Sequence, residues 1–142
     1  MRKIIALYAS ANKGKTSTLN ILIDLLTLVS SESNVWKSNE GWGWFKINDV
    51  TVGVCTPGDD KDSIESNINY FNENECEVIV TATRTKGETV TELKKLEKKK
   101  NCPILWFPKE DNEEKNKLIA SELFRLVLDE IDNINDWYWV NK

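Results

Sequence analysis

Residues 4–16 join an uninterrupted apolar run to a loop of small residues and then to a helix-forming stretch, and this junction narrows the possible folds more than any other feature. Ile4-Ile5-Ala6-Leu7-Tyr8 has no charged position, which predicts a strand covered on both faces, as in a parallel sheet. Over residues 15–31, Leu19, Leu22, Ile23, Leu26 and Val29 recur at three and four, and Ile21, Leu25 and Leu28 widen the stripe. That spacing predicts a helix buried over much of its circumference and packed on the sheet.

The remaining chain continues the alternation. Residues 30–41 are mostly polar, with Val35 and a single Trp36, and read as a long loop. Residues 43–47 and 50–54 alternate with period two around Asn48-Asp49, which predicts an antiparallel hairpin at a sheet edge. Ile64, Ile68 and Phe71 mark a short amphipathic helix from about Lys61, and residues 78–82 form a second buried strand. Thr89 and Glu92 stand at capping-box spacing before Val90, Leu93 and Leu96. Residues 103–107, between Pro103 and Pro108, read as a third central strand with Trp106 in the core. A last helix is expected to start near Asp111, with Glu114 at capping spacing, and to run through Ile119, Leu123, Val127 and Ile131. The order predicts one α/β domain over residues 1–142: a three-layer, mainly parallel sheet with an antiparallel edge hairpin and helices on both faces. Ligands of such sheets bind at the carboxyl ends of the strands.

Composition limits the chemistry. The 142 residues contain no histidine, which removes imidazole acid–base work and histidine-ligated zinc. Cys55, Cys76 and Cys102 are odd in number and widely spaced, as expected of buried reduced thiols in a cytoplasmic protein. A net charge of −4 disfavours nucleic acid as a partner, and the Lys94, Lys95, Lys98, Lys99, Lys100 run reads as a solvated helix face. Arg2-Lys3 before an apolar run imitates a signal peptide, but the run at residues 4–9 is shorter than a secretory segment requires. The most apolar window, residues 19–29, is interrupted by Asp24 and Thr27, so no membrane span is expected.

The strand–helix junction reads Ala9-Ser10-Ala11-Asn12-Lys13-Gly14-Lys15-Thr16, the phosphate-loop pattern GxxxxGK[ST] with Ala9 at its first position. Each fixed place has a physical task. Ala11, Asn12, Lys13, Gly14, Lys15, Thr16 and Ser17 are the expected phosphate cradle, in which inward backbone N–H groups and the positive helix end hold a β-phosphate. Gly14 admits the phosphate without a Cβ in the way, Lys15 reaches the β- and γ-oxygens, and Thr16 offers a hydroxyl to Mg²⁺.

On these residues the chain resembles the P-loop NTPase superfamily. The hairpin followed by Cys55-Thr56-Pro57-Gly58-Asp59 is similar to the layout of GTPases, where a comparable turn carries a glycine that senses the γ-phosphate. Cys55 stands in the acid's place, and a thiol is a poor partner for magnesium-bound water. Asp59 and Asp60 are the nearest replacements, either able to order Mg²⁺-bound water, with Asp59 as the metal candidate, or to accept a proton from a nucleophile; the other reading of the pair is a turn and helix cap. Thr83-Arg84-Thr85-Lys86-Gly87-Glu88 replaces the guanine-reading Asn-Lys-x-Asp of GTPases, so the resemblance implies Mg-ATP rather than GTP. Arg84 is expected either to neutralise transferring phosphate or to make a surface ion pair. Nucleotide kinases bring several arginines on a mobile lid, whereas only Arg2, Arg84 and Arg125 occur here.

The expected activity is therefore NTP binding with slow hydrolysis or phosphotransfer, with Lys15, Asp59, Asp60 and Arg84 as catalytic candidates. The alternative is a nucleotide-gated interaction module. Trp42 with Trp44, or Trp137 with Trp139, are candidates for a homodimer or partner surface, or else pack back on the domain. Base stacking on Trp36, Trp42 or Trp44 is a lesser option.

Overall fold

A computed structural model describes residues 1–10, 14–109 and 112–141. The elements follow in the order β1 (Lys3–Tyr8), α1 (Lys15–Val29), β2 (Glu32–Lys37), β3 (Gly41–Ile47), β4 (Val50–Cys55), α2 (Lys61–Glu73), β5 (Val78–Thr83), α3 (Glu88–Lys100), β6 (Ile104–Pro108), a 3-10 turn (Glu113–Lys115) and α4 (Asn116–Val140). They form one six-stranded sheet in the order β2-β3-β4-β5-β1-β6. β4, β5, β1 and β6 are parallel, and β2 and β3 are antiparallel to their neighbours.

The alternation of β1 divides the core into two layers. Ile5 and Leu7, with Val52, Val54, Val78 and Val80, meet Leu19, Leu22, Ile23 and Leu26 of α1 and Ile119, Leu123, Val127 and Ile131 of α4. Ile4 and Ile79 point the other way, toward Phe71 of α2 and Leu96 of α3. The three-layer expectation therefore holds, and each fully buried aliphatic side chain contributes about 1.5–3 kcal/mol relative to exposure. Gly53 is required by this packing: a Cβ there would lie 2.6 Å from Phe71 and 2.7 Å from the Cys76 sulfur. All three cysteines are free and buried.

The strands differ from expectation at both edges. Residues 32–37, expected as loop, are an edge strand with every residue exposed, which explains the missing apolar period. Pairing with β3 orders them instead: Trp36 stacks on Trp42 at 4.5 Å between ring centroids, and Lys37 meets Asp24 of α1 at 2.8 Å. The β3–β4 hairpin does turn at Asn48-Asp49, whose φ angles of 49° and 66° suit the right-handed strand twist. It lies one strand inside the edge, because β2 covers it. β6, expected as a central strand, is the opposite edge, and Trp106 is only half-buried, edge-on to Tyr8 at 6.1 Å. Two flanking prolines suit an edge, where a missing N–H costs no ladder bond.

Helix ends differ too. Gly87, with φ 95°, precedes α3 in place of the expected Thr89 cap. Asp111 lies outside the described residues; α4 begins at Asn116, after the 3-10 turn capped by the Asn112 side chain. α4 runs on to Val140, so Trp137-Tyr138-Trp139 belong to the helix rather than following it, and all three are exposed. The Arg2 guanidinium lies 4.8 Å from the Trp137 ring centroid. Among the described residues, no helix is long and apolar enough to cross a membrane.

Candidate functional site

Described residues that follow β1, β4 and β6, with the end of β5, come together at the carboxyl ends of the parallel strands: Lys15 contacts Ala9, Asp59 and Thr83, and Gly14 lies beside Lys109. Gly14, at φ 79° and ψ 19°, takes the left-handed conformation that lets the chain turn into α1. Thr18 closes the first helical turn, donating from both N–H and hydroxyl to the Gly14 carbonyl at 3.0 and 2.9 Å. Ala11, Asn12 and Lys13 lie outside the described residues. Thr16 and Ser17 follow in the first turn of α1, and neither hydroxyl makes a hydrogen bond among the described residues.

Lys15 is 5% exposed, and its ammonium has three acceptors. It donates to the Ala9 carbonyl at 2.8 Å, the Thr83 carbonyl at 2.9 Å and Asp59 Oδ1 at 3.1 Å. Ala9 follows β1 and Thr83 ends β5, so the side chain lies across two neighbouring strand ends and reaches the β4–α2 loop. Burial lowers its pKa; Asp59 opposes that through the hydrogen bond and its charge, and Arg84 adds to it.

The β4–α2 loop is held rigidly enough to aim Asp59. Thr56 N–H donates to Gly41 O at 2.9 Å, and Gly41 N–H donates back to Thr56 Oγ1 at 2.8 Å. A Cβ on Gly58 would run into the Ala82 carbonyl, so this glycine brings the loop backbone against β5. Asn67 Nδ2 holds the Pro57 carbonyl at 2.7 Å. The two aspartates then separate in role. Asp60 caps α2, its Oδ1 accepting from Ser63 N–H at 2.8 Å, which lowers its pKa. Asp59, 57% exposed, is the acid that meets Lys15.

Arg84 follows β5, exposed, with no ion pair among the described residues. Its backbone N–H donates to Thr89 Oγ1 at 3.2 Å, and Thr83 and Thr89 share a hydroxyl bond of 2.9 Å. Thr89 thus ties the β5–α3 loop to the strand end rather than capping the helix. Arg84 and Asp59 line a cavity of about 550 Å³ together with Ser10, Lys86 and Gly87.

Two residues of the site escaped the sequence reading. Lys109, 6% exposed, leaves β6 with its N–H bonded to Tyr8 O at 2.9 Å, and its Cε lies 3.6 Å from where a Gly14 Cβ would stand. Asn116, 7% exposed, opens α4 with its amide 3.2 Å from that same point, and its Oδ1 is buried without a hydrogen-bond partner among the described residues. Lys109 was findable, since a lysine directly after a strand of a parallel sheet stands where ligands bind; Asn116 has no local signal. Lys15, Arg84, Lys86 and Lys109 thus collect at the strand ends of a chain whose net charge is −4.

The tryptophan pairs divide. Trp42 and Trp44 are half-buried against the Cys55, Phe71 and Cys76 cluster, while Trp137 and Trp139 are 52% and 79% exposed. Among the described residues, no group of three or more Cys, Asp and Glu is assembled that could hold a metal ion by itself. Thr16 and Asp59 are hard oxygen donors of the kind Mg²⁺ accepts when phosphate oxygens complete its shell. No protein-family model, curated protein or solved structure matches the chain.

Proposed function

We propose that the chain is a P-loop protein that binds a nucleoside triphosphate, Mg-ATP by default, and turns it over slowly by hydrolysis or phosphotransfer. The observation that carries this reading is the Lys15 ammonium, buried across the ends of β1 and β5 directly after a left-handed glycine at a helix start. Arriving phosphate replaces Asp59 as the partner of Lys15, and the helix end and loop amides share its charge. Thr16 and the released Asp59 are the residues that would hold Mg²⁺, which would supply positive charge to neutralise the phosphate oxygens. Arg84, without an ion pair among the described residues, turns to the transferring phosphoryl group or its acceptor. Asp60 supports the loop as a helix cap, so Asp59 is the acid on which turnover depends.

The same ion pair favours a second reading, a nucleotide-gated interaction module. Exchanging Asp59 for phosphate on Lys15 releases the Asp59 side chain at the surface of the β4–α2 loop, a local change that binding energy can drive. Thermal stability of wild type and Lys15→Ala with ATP, GTP, ADP and Mg²⁺ tests both readings at the level of binding. A shift confined to wild type is expected, and no shift with any nucleotide overturns the proposal. Asp59→Asn then separates the two: an enzyme keeps binding and loses turnover, whereas the module has negligible turnover to lose.

A further inference from the structure

Among the described residues, the side chain of Asn116 has no structural partner. It begins α4 at an ordinary helical φ of −57° and ψ of −42°, where an asparagine is usually spent on capping, yet the preceding 3-10 turn is capped by Asn112 and α4 itself has no side-chain cap. The amide turns instead to the start of α1, with Oδ1 3.2 Å and Nδ2 3.3 Å from the point where a Cβ on Gly14 would stand. The residue is 7% exposed, its Oδ1 is buried without a partner, and its Nδ2 makes no hydrogen bond among the described residues. A buried amide with both functions unused destabilises the free protein, and that loss is offset when a ligand supplies the partners.

Strand order fixes which part of a nucleotide meets this amide. The parallel strands lie in the order β4-β5-β1-β6, and the Lys15 ammonium, Asp59 and Arg84 gather over the end of β5 and the β4–α2 loop. Asn116 and Lys109 stand on the other side of β1, at the β6 end, with Gly14 between the two groups. β5 and β6 are two strand spacings apart, roughly 10 Å. A triphosphate tail drawn to Lys15 and Arg84 therefore leaves its nucleoside on the side of β6 and α4.

We infer that Asn116 selects the base of the bound nucleotide and that the base is adenine, an inference that rests on the nucleotide reading above. Adenine presents an amine donor at N6 and an acceptor at N7, which the amide Oδ1 and Nδ2 match one to one. Guanine presents acceptors, O6 and N7, at the same two places. A half-turn of the amide exchanges its donor and its acceptor, but against guanine either position leaves one acceptor facing another. The selection thus follows from the amide having one function of each kind, whichever way it points.

Isothermal titration of the full chain with ATP, GTP and inosine triphosphate, each with Mg²⁺, reads the base edge directly. Inosine carries a carbonyl in place of the adenine amine, and the triphosphate is the same in all three. ATP should bind wild type about ten- to a hundredfold tighter than inosine triphosphate, the scale of one bidentate amide–adenine pair. In Asn116→Ala, and in Asn116→Leu, which keeps the shape of the side chain, the affinity for ATP should fall to within about twofold of that for inosine triphosphate, a change of ratio that lost packing alone would not give. Equal affinity for the two in wild type, an ATP preference that survives both substitutions, or tighter binding of GTP, as a Lys109 ammonium reading O6 and N7 would produce, would overturn the base assignment and leave the phosphate site standing. Absence of binding by all three nucleotides would overturn both readings.

Discussion

Lys15 and Asp59 stand 44 positions apart in the chain and meet at 3.1 Å, the longest of the three hydrogen bonds made by the Lys15 ammonium. The other two acceptors are strand-end carbonyls that cannot move without disturbing the sheet. Asp59, largely exposed, is the partner that an incoming anion can replace at least cost.

Nucleotide stabilisation should therefore depend on Lys15. A ligand at about a hundred times its dissociation constant stabilises by roughly 2.7 kcal/mol, or about 5–10 °C in a domain of this size. Wild type should show a shift of that order with Mg-ATP in differential scanning fluorimetry, and Lys15→Ala should show less than about 1 °C. An equal shift in both proteins would place the nucleotide elsewhere.

Gly58 should tolerate no side chain. Its Cβ would meet the Ala82 carbonyl, a backbone atom fixed by the sheet, so Gly58→Ala should cost about 2–3 kcal/mol or more by urea denaturation. A midpoint equal to wild type would show that the loop is free to lift off β5.

The Asp60 cap predicts a pH-dependent contribution. Its folded pKa is lowered by the Ser63 hydrogen bonds, so the stabilisation is present above the ordinary carboxyl range and is lost as pH falls through the folded value. The stability difference between wild type and Asp60→Ala should be full at pH 7 and shrink on acidification below about pH 4. A difference that stays constant across the titration would remove the carboxylate from the cap.

The cysteines should be inert in the native protein. Burial raises all three thiol pKa values, that of Cys76 to about 12, so little thiolate exists near neutrality. An aromatic disulfide reagent at pH 8 should react only as fast as the protein unfolds, and prompt labelling of any one thiol would contradict its burial.

Much of this molecule could be read residue by residue. The run at residues 4–8, the three-and-four spacing of α1 and the Asn48-Asp49 turn each depend on neighbours a few positions away, and all three appear in the fold. The spacing of Gly14, Lys15 and Thr16 located the centre of the candidate site for the same reason. β2 was invisible because a strand exposed on both faces has no apolar period; its order comes from β3, and Trp36 pairs with Trp42.

Apolar period and turn chemistry thus determined the strands and helices other than β2, that the domain is α/β, and that Lys15 follows a buried strand. Tertiary structure alone decided that β5 lies between β4 and β1, that β6 is an edge, that Asp59 rather than Asp60 meets Lys15, and that Lys109 and Asn116 converge on Gly14. The division is physical: local pattern records how each segment is buried, whereas strand order and loop convergence arise from contacts between residues far apart in the chain, which no local spacing encodes.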